Sequence, residues 1–143
     1  MLFRLVLLPV ISSILLMLVA TNVHATEKKV TPFVMQLTRK AEGFEHRRVM
    51  LQLDKILTDL DSQVRFEVVA YEDGIHALLA SNEKTSQLIT KLANRGVIFK
   101  ACRISMNAWN LKESDFPLEV EFVPAGAPEV IRLQLQGYKY WRP

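Results

Sequence analysis

The chain has 143 residues, half of them hydrophobic, and 18 Lys and Arg against 15 Asp and Glu give it a formal net charge of +3. That length suits one globular domain, and so mild a charge balance argues for neither a nucleic-acid nor an acidic partner. The single cysteine, Cys102, excludes an internal disulfide, and with three dispersed histidines it makes a dedicated metal site unexpected.

Between Met1 and Ala20 the only charge is Arg4, and from Leu5 onward the run is built from Leu, Val, Ile, Met, Ala, Pro and Ser. A basic start, an apolar run and Val23-His24-Ala25 before the first polar stretch predict a signal peptide over residues 1–25, a mature domain over 26–143 and a periplasmic location. The rival is an uncleaved anchor. Pro9, Ser12, Ser13 and a run shorter than the ~20 residues that span a bilayer weigh against it. Removal of Arg4 lowers the charge to +2 and leaves no membrane-binding segment expected after cleavage. In an oxidising compartment the leftover thiol of Cys102 is either buried and inert or exposed and reactive.

Residues 30–38 are β-rich, with Pro32 near the start, where a missing N–H does least harm to a ladder. Residues 39–45, including Gly43, read as a loop. Val49, Met50, Leu53, Ile56, Leu57 and Leu60 recur at steps of three and four, which predicts an amphipathic helix over 46–60 with His46 facing solvent. Residues 64–71 form a strand that ends at Glu72-Asp73-Gly74, and a short apolar segment follows over 75–80. Leu88, Ile89, Leu92 and Ala93 mark a second helix, capped by Ser81 or Asn82 and closed by Gly96. A buried strand over 97–101 then delivers Cys102 to a short helical stretch with Ile104, Ala108, Trp109 and Leu111. Residues 120–123 make a fourth strand. Pro128 suits the first position of a helix running through Leu135, and residues 138–142 make a last strand whose aromatics pack inward or into a subunit contact.

Alternation of strand and helix predicts a parallel sheet covered on both faces. The expected architecture is an α/β, flavodoxin-like three-layer sandwich with about five mainly parallel strands. Gly96 and Gly137 then fall where helices turn into strands, and Gly43, Gly74 and Gly126 fall at the carboxyl edge, where ligands bind in such sheets.

Candidate chemistry gathers at that edge. Cys102 follows a strand at a helix start, where backbone N–H groups and Arg103 favour a thiolate; its plainer role is that of a small buried hydrophobe. His76 is a candidate base for the thiol or a loop histidine. Glu72 and Asp73 before Gly74 either poise an acid or only make a turn. Pro124, Ala125 and Gly126 either wall a pocket with free N–H groups or simply launch the next helix. There is no Cys-x-x-Cys, phosphate-binding glycine loop, Gly-x-Ser-x-Gly or His-Glu-x-x-His.

Three stretches carry a resemblance: Val68-Val69-Ala70-Tyr71-Glu72-Asp73-Gly74-Ile75; Leu92-Ala93-Asn94-Arg95-Gly96-Val97-Ile98-Phe99-Lys100-Ala101-Cys102; and Val123-Pro124-Ala125-Gly126 with Arg132-Leu133-Gln134 and Gly137-Tyr138. They resemble the exported branch of the DsrE/DsrF-like family. The resemblance implies a flavodoxin-like sandwich assembled as homo-oligomers, trimers or hexamers. It also implies that Cys102 matches the position at which sulfur-relay members carry sulfur as a persulfide; His76 matches no motif residue. The function expected is a soluble periplasmic sulfur carrier, sulfurtransferase-like and without a cofactor, in which Cys102 takes sulfane sulfur from a donor protein or molecule and passes it to an acceptor. The alternatives are a non-enzymatic binding module with Cys102 lining its pocket, and an oligomeric scaffold.

Overall fold

Apolar residues on the strands sort to two faces, and the two faces are unequal. In the computed structural model, which describes residues 29–40 and 45–143, five parallel strands form one sheet in the order β4-β3-β2-β1-β5. They are β1 (Thr31–Leu37), β2 (Val64–Ala70), β3 (Ile98–Cys102), β4 (Val120–Val123) and β5 (Lys139–Trp141), with helices α1 (His46–Leu60), α2 (Ser86–Ala93), α3 (Arg103–Ala108) and α4 (Gly126–Leu135) between them. The predicted signal peptide and Gly43 lie outside the described residues.

On one face Met35, Leu37, Phe66, Val68, Ala70, Phe99 and Ala101 meet Val49, Met50, Leu53 and Leu57 of α1, Ile89 and Leu92 of α2, and Met106 of α3. On the other, the buried apolar cluster among the described residues is Val34 and Val69 with Val130 and Leu133 of α4, flanked by Tyr71 and Tyr138. Right-handed crossovers explain this. The chain steps from β1 to β4 in one direction, which puts three connections on one face, and then returns past β1 to β5, which puts α4 alone on the other.

The three-layer α/β sandwich with a five-stranded parallel sheet is therefore present. Strand order is a tertiary fact that alternation alone does not specify. The register runs from Thr31↔Val64 to Leu37↔Ala70 between β1 and β2, and from Glu67↔Ile98 to Ala70↔Ala101 between β2 and β3. Carboxyl ends thus share one edge.

Several local expectations change. His46 is buried, not solvent-facing, because its Nε2 lies 2.9 Å from the Arg39 carbonyl at the base of the preceding loop. Neither Ser81 nor Asn82 caps α2, which starts only at Ser86; the Thr85 hydroxyl is instead donated to the Ala77 carbonyl at 2.7 Å. The segment after β2 winds into a 3-10 helix over Glu72–Leu78. Helix α4 begins at Gly126, so Pro128 is its third residue, still within the first turn where no N–H is needed. Gly96 and Gly137 do take left-handed conformations, with φ of +87° and +91°.

Gly74 has a different reason to be glycine. A Cβ there would stand 2.1 Å from the Leu37 carbonyl oxygen and 2.4 Å from its carbon, both backbone atoms of β1 that cannot swing aside. At Gly96 an added Cβ meets nothing within 4 Å and only the backbone angle resists. Gly74→Ala is expected to lower unfolding free energy by about 3 kcal/mol and Gly96→Ala by about 1–2 kcal/mol. Urea midpoints of the two variants check this; equal losses would show that β1 yields at Leu37.

Candidate functional site

Alternation along β3 assigns its side chains. Phe99 and Ala101 enter the large core, so Lys100 and Cys102 point to the opposite face, beneath α4. Cys102 is the last residue of β3, precedes the first residue of α3, and is 3% exposed. Its Sγ accepts the backbone N–H of Gly126 at 3.2 Å. Gly126 is pressed against Tyr71 so closely that a Cβ would lie 2.6 Å from the Tyr71 ring. Tyr71 directly follows Ala70, the register partner of Ala101, so Tyr71 and Cys102 stand side by side with Gly126 over both.

From Tyr71 a polar chain runs along the same face. The Gln36 side-chain amide donates to the Tyr71 hydroxyl, and the Tyr140 hydroxyl donates to the Gln36 carbonyl oxygen. Burial, with the Glu72 carboxylate adding to it, pushes the Tyr71 phenol above its usual pKa, so it stays protonated at neutral pH.

One step down the sheet from Cys102 lies a buried charge network. Lys100 Nζ is 2.7 Å from Glu129 Oε1 and 2.5 Å from Glu67 Oε2, and the three residues are only 8%, 9% and 7% exposed. Arg132 grips both Glu129 oxygens, Nε to Oε2 at 2.7 Å and Nη2 to Oε1 at 2.6 Å. The Tyr138 hydroxyl donates to Glu67 Oε1 at 2.6 Å, and Arg65 lies over the Tyr138 ring. Glu67 Oε2 has no hydrogen bond of good angle, so its contact with Lys100 acts through charge. Arg132 holds the Glu129 carboxyl down to about 2, burial opposes that, and Lys100 adds to it. Burial works against the Lys100 ammonium, but the carboxylates of Glu129 and Glu67 more than offset it and hold its pKa above the ordinary lysine value.

The residues expected at the site divide into two groups. Gly126 delivers its N–H to the thiol, and Ala125 caps α4, its carbonyl accepting the Glu129 N–H at 3.3 Å, beside an exposed Pro124. The others turn elsewhere. His76 Nδ1 lies 3.0 Å from the Asp73 carbonyl and its ring packs edge-on against Trp109 at 4.6 Å, so it serves the 3-10 turn and not the thiol. Glu72, at φ +51°, donates its N–H to the Ser105 hydroxyl at 2.7 Å, and Gly74 is packed against Leu37. The Asp73 carboxylate lies 3.9 Å from Lys40. Arg103 pairs with Glu113 at 2.6 Å and lies over the Phe122 ring, so its charge is directed away from Cys102. Tyr71, Lys100, Glu67 and Glu129 escaped the sequence reading. A lysine and a glutamate interrupting otherwise apolar strands were the available signal.

A family model described as the DsrE/DsrF-like family matches residues 14–142. The chain belongs to the DsrE/DsrF-like family. A protein of unknown function, MTH1491 from Methanobacterium thermoautotrophicum, is similar in structure with a TM-score of 0.72 and 29% identity, covering 79% of this chain and 99% of its own. The ychN protein from E. coli has a TM-score of 0.55 at 15% identity, covers 80% of this chain and 99% of its own, and supports the fold alone. No curated protein matches the chain.

In this DsrE/DsrF-like chain the thiol and the charge network share one wall, and the network's value is testable. Lys100→Met strands two buried carboxylates on one another and is expected to cost about 3–5 kcal/mol, read from urea unfolding. Glu129 titrates at about 2 when folded against an ordinary 4.5. A depressed carboxyl stabilises the fold above its unfolded pKa and loses that contribution as pH falls through the folded one. Wild-type stability should therefore fall between about pH 4.5 and 2, and Glu129→Gln should flatten that limb. An unchanged slope in the variant would show that other carboxylates dominate.

Proposed function

We propose that this protein handles sulfane sulfur, with Cys102 as the atom that carries it. The observation that supports this reading is the Cys102 sulfur at the carboxyl end of β3 with the Gly126 N–H on it at 3.2 Å, in a member of the DsrE/DsrF-like family. The thiolate attacks the terminal sulfur of a persulfide or polysulfide donor. The donor S–S bond breaks, its electron pair leaves on the donor sulfur, and a new S–S bond forms on Cys102 as a persulfide. An acceptor thiolate then takes the outer sulfur, and Cys102 departs as a thiolate. The exchange balances without a second cysteine, a metal or a redox cofactor. The Gly126 N–H, 3.2 Å from the sulfur, is a hydrogen-bond donor to the Cys102 thiolate that attacks and later departs.

The same proposal places the protein in the periplasm, released after Ala25, working as a homotrimer or hexamer with a donor or acceptor protein. Arg4 with the apolar run behind it supports export. Ile131 and Leu135 on the outer side of α4, 58% and 84% exposed, support an apolar contact with another subunit.

One observation favours a second reading. A thiol only 3% exposed is poorly placed to meet a reagent unless the first turn of α4 moves, and as it stands Cys102 fits the wall of a binding module. Mass spectrometry after incubation with polysulfide or thiosulfate separates the two. The carrier reading expects one added sulfur on wild type, lost on treatment with a thiol and absent from Cys102→Ser. No adduct, or the same adduct on Cys102→Ser, leaves the binding module.

A further inference from the structure

Two contacts join β3 to α4, and they lie side by side. One is the Gly126 N–H on Cys102 Sγ at 3.2 Å. The other is the buried bond from Lys100 Nζ to Glu129 Oε1 at 2.7 Å. Lys100 precedes Cys102 by two residues and so shares its sheet face about 7 Å away along the strand. Glu129 follows Gly126 by three residues, about 5 Å and nearly one turn along the helix. The ion pair therefore fixes the same two elements whose approach closes over the thiol.

We infer that Lys100 and Glu129 are positioning residues for Cys102: their buried pair holds the first turn of α4 down on the sulfur and sets how often a reactant reaches it. This rests on the reading of Cys102 as the reacting thiol. The first turn of α4 follows closely on Val123, the register partner of Cys102 at the end of β4, but carries no buried apolar side chain of its own. Its N–H groups have no partners within the helix, Pro124, Ala127 and Pro128 are exposed, and the apolar anchors Val130 and Leu133 lie further along. At this end Gly126 also packs against the Tyr71 ring, and the Ala125 carbonyl accepts the Glu129 N–H at 3.3 Å.

Both members of the pair are themselves fixed. Glu67 holds the Lys100 ammonium from β2, with the Tyr138 hydroxyl on its other oxygen, and Arg132 holds the Glu129 carboxylate in a two-pronged grip. Segments with few buried contacts open locally at low cost, and one strong buried contact at such a segment governs that opening. Tyr71 adds a shape restriction, because a Cβ at 126 would lie 2.6 Å from its ring.

The test is the rate at which iodoacetamide alkylates Cys102 in the native protein. Glu129→Ala should accelerate it about tenfold or more by freeing the first turn. Glu129→Gln, whose amide oxygen still accepts the Lys100 ammonium, should restore most of the wild-type slowness. Asp54→Ala is the control: it removes the surface bonds from α1 to Lys91 of α2 and to Arg95 just beyond it, on the sheet face opposite the thiol. Equal acceleration in Glu129→Ala and Asp54→Ala, compared at equal global stability, overturns the inference, as does none in Glu129→Ala. Should Glu129→Ala fail to fold, hydrogen exchange of the Gly126 amide in wild type decides. Exchange as slow as the β3 core supports a held turn, and exchange as fast as an exposed loop overturns it. These rates need no sulfur donor. If polysulfide leaves no adduct while Glu129 still governs alkylation, the sulfur reading falls and the positioning role stands.

Discussion

A lysine ammonium buried between two carboxylates is the constraint on which the α4 side of this molecule depends. Lys100, Glu67 and Glu129 come from two strands and a helix, each less than a tenth exposed, and each would be costly to bury alone. The face they occupy has few apolar contacts, with Val34 and Val69 meeting Val130 and Leu133 and little besides. Hydrophobic burial is not directional, so four such residues would tolerate α4 sliding or tilting. The ion pair, with its angular and charge requirements, permits one placement.

That placement matters because the thiol lies at the same junction. Strand β3 carries Lys100 and Cys102 on one face, and α4 carries Gly126 and Glu129 within one turn, so one docking event brings both pairs into contact. The other face is secured by a large apolar core from three crossovers and needs no such device. The molecule thus divides into a well-packed side that provides stability and a thinly covered side that holds Cys102. On the proposed reading of Cys102, access to the buried sulfur is set by the first turn of α4 and not by the sheet.

The histidine on which base catalysis would have depended is committed to a local turn and to Trp109. Arg103, adjacent to the cysteine in sequence, is drawn to Glu113 and Phe122. Adjacency along the chain says little here, because the residue after a strand end begins a helix and its side chain leaves in a new direction. Glu72, Asp73 and Gly74 shape the turn after β2 and hold it against β1 and α3. What remains at the sulfur is a backbone N–H, a packed tyrosine ring and a charge network one step below.

Periodicity and punctuation in the sequence already determined the layers, the parallel sheet, the edge at which Cys102 emerges and the left-handed glycines at 96 and 137. Those features follow from local rules: apolar spacing, helix termination and the handedness of crossovers. Three motifs carried the family as well. Only the tertiary structure decided which face α4 covers, that Cys102 is buried, that His46 is inward, and that Lys100 finds Glu67 and Glu129. The Lys100 network joins residues 29 and 33 positions apart, and the place of α4 follows from strand order. His46, by contrast, turns inward onto a carbonyl seven residues away that apolar spacing does not register. Charged residues inside a strand announce that something must neutralise them, but their partners are chosen by the docking of the sheet and helix.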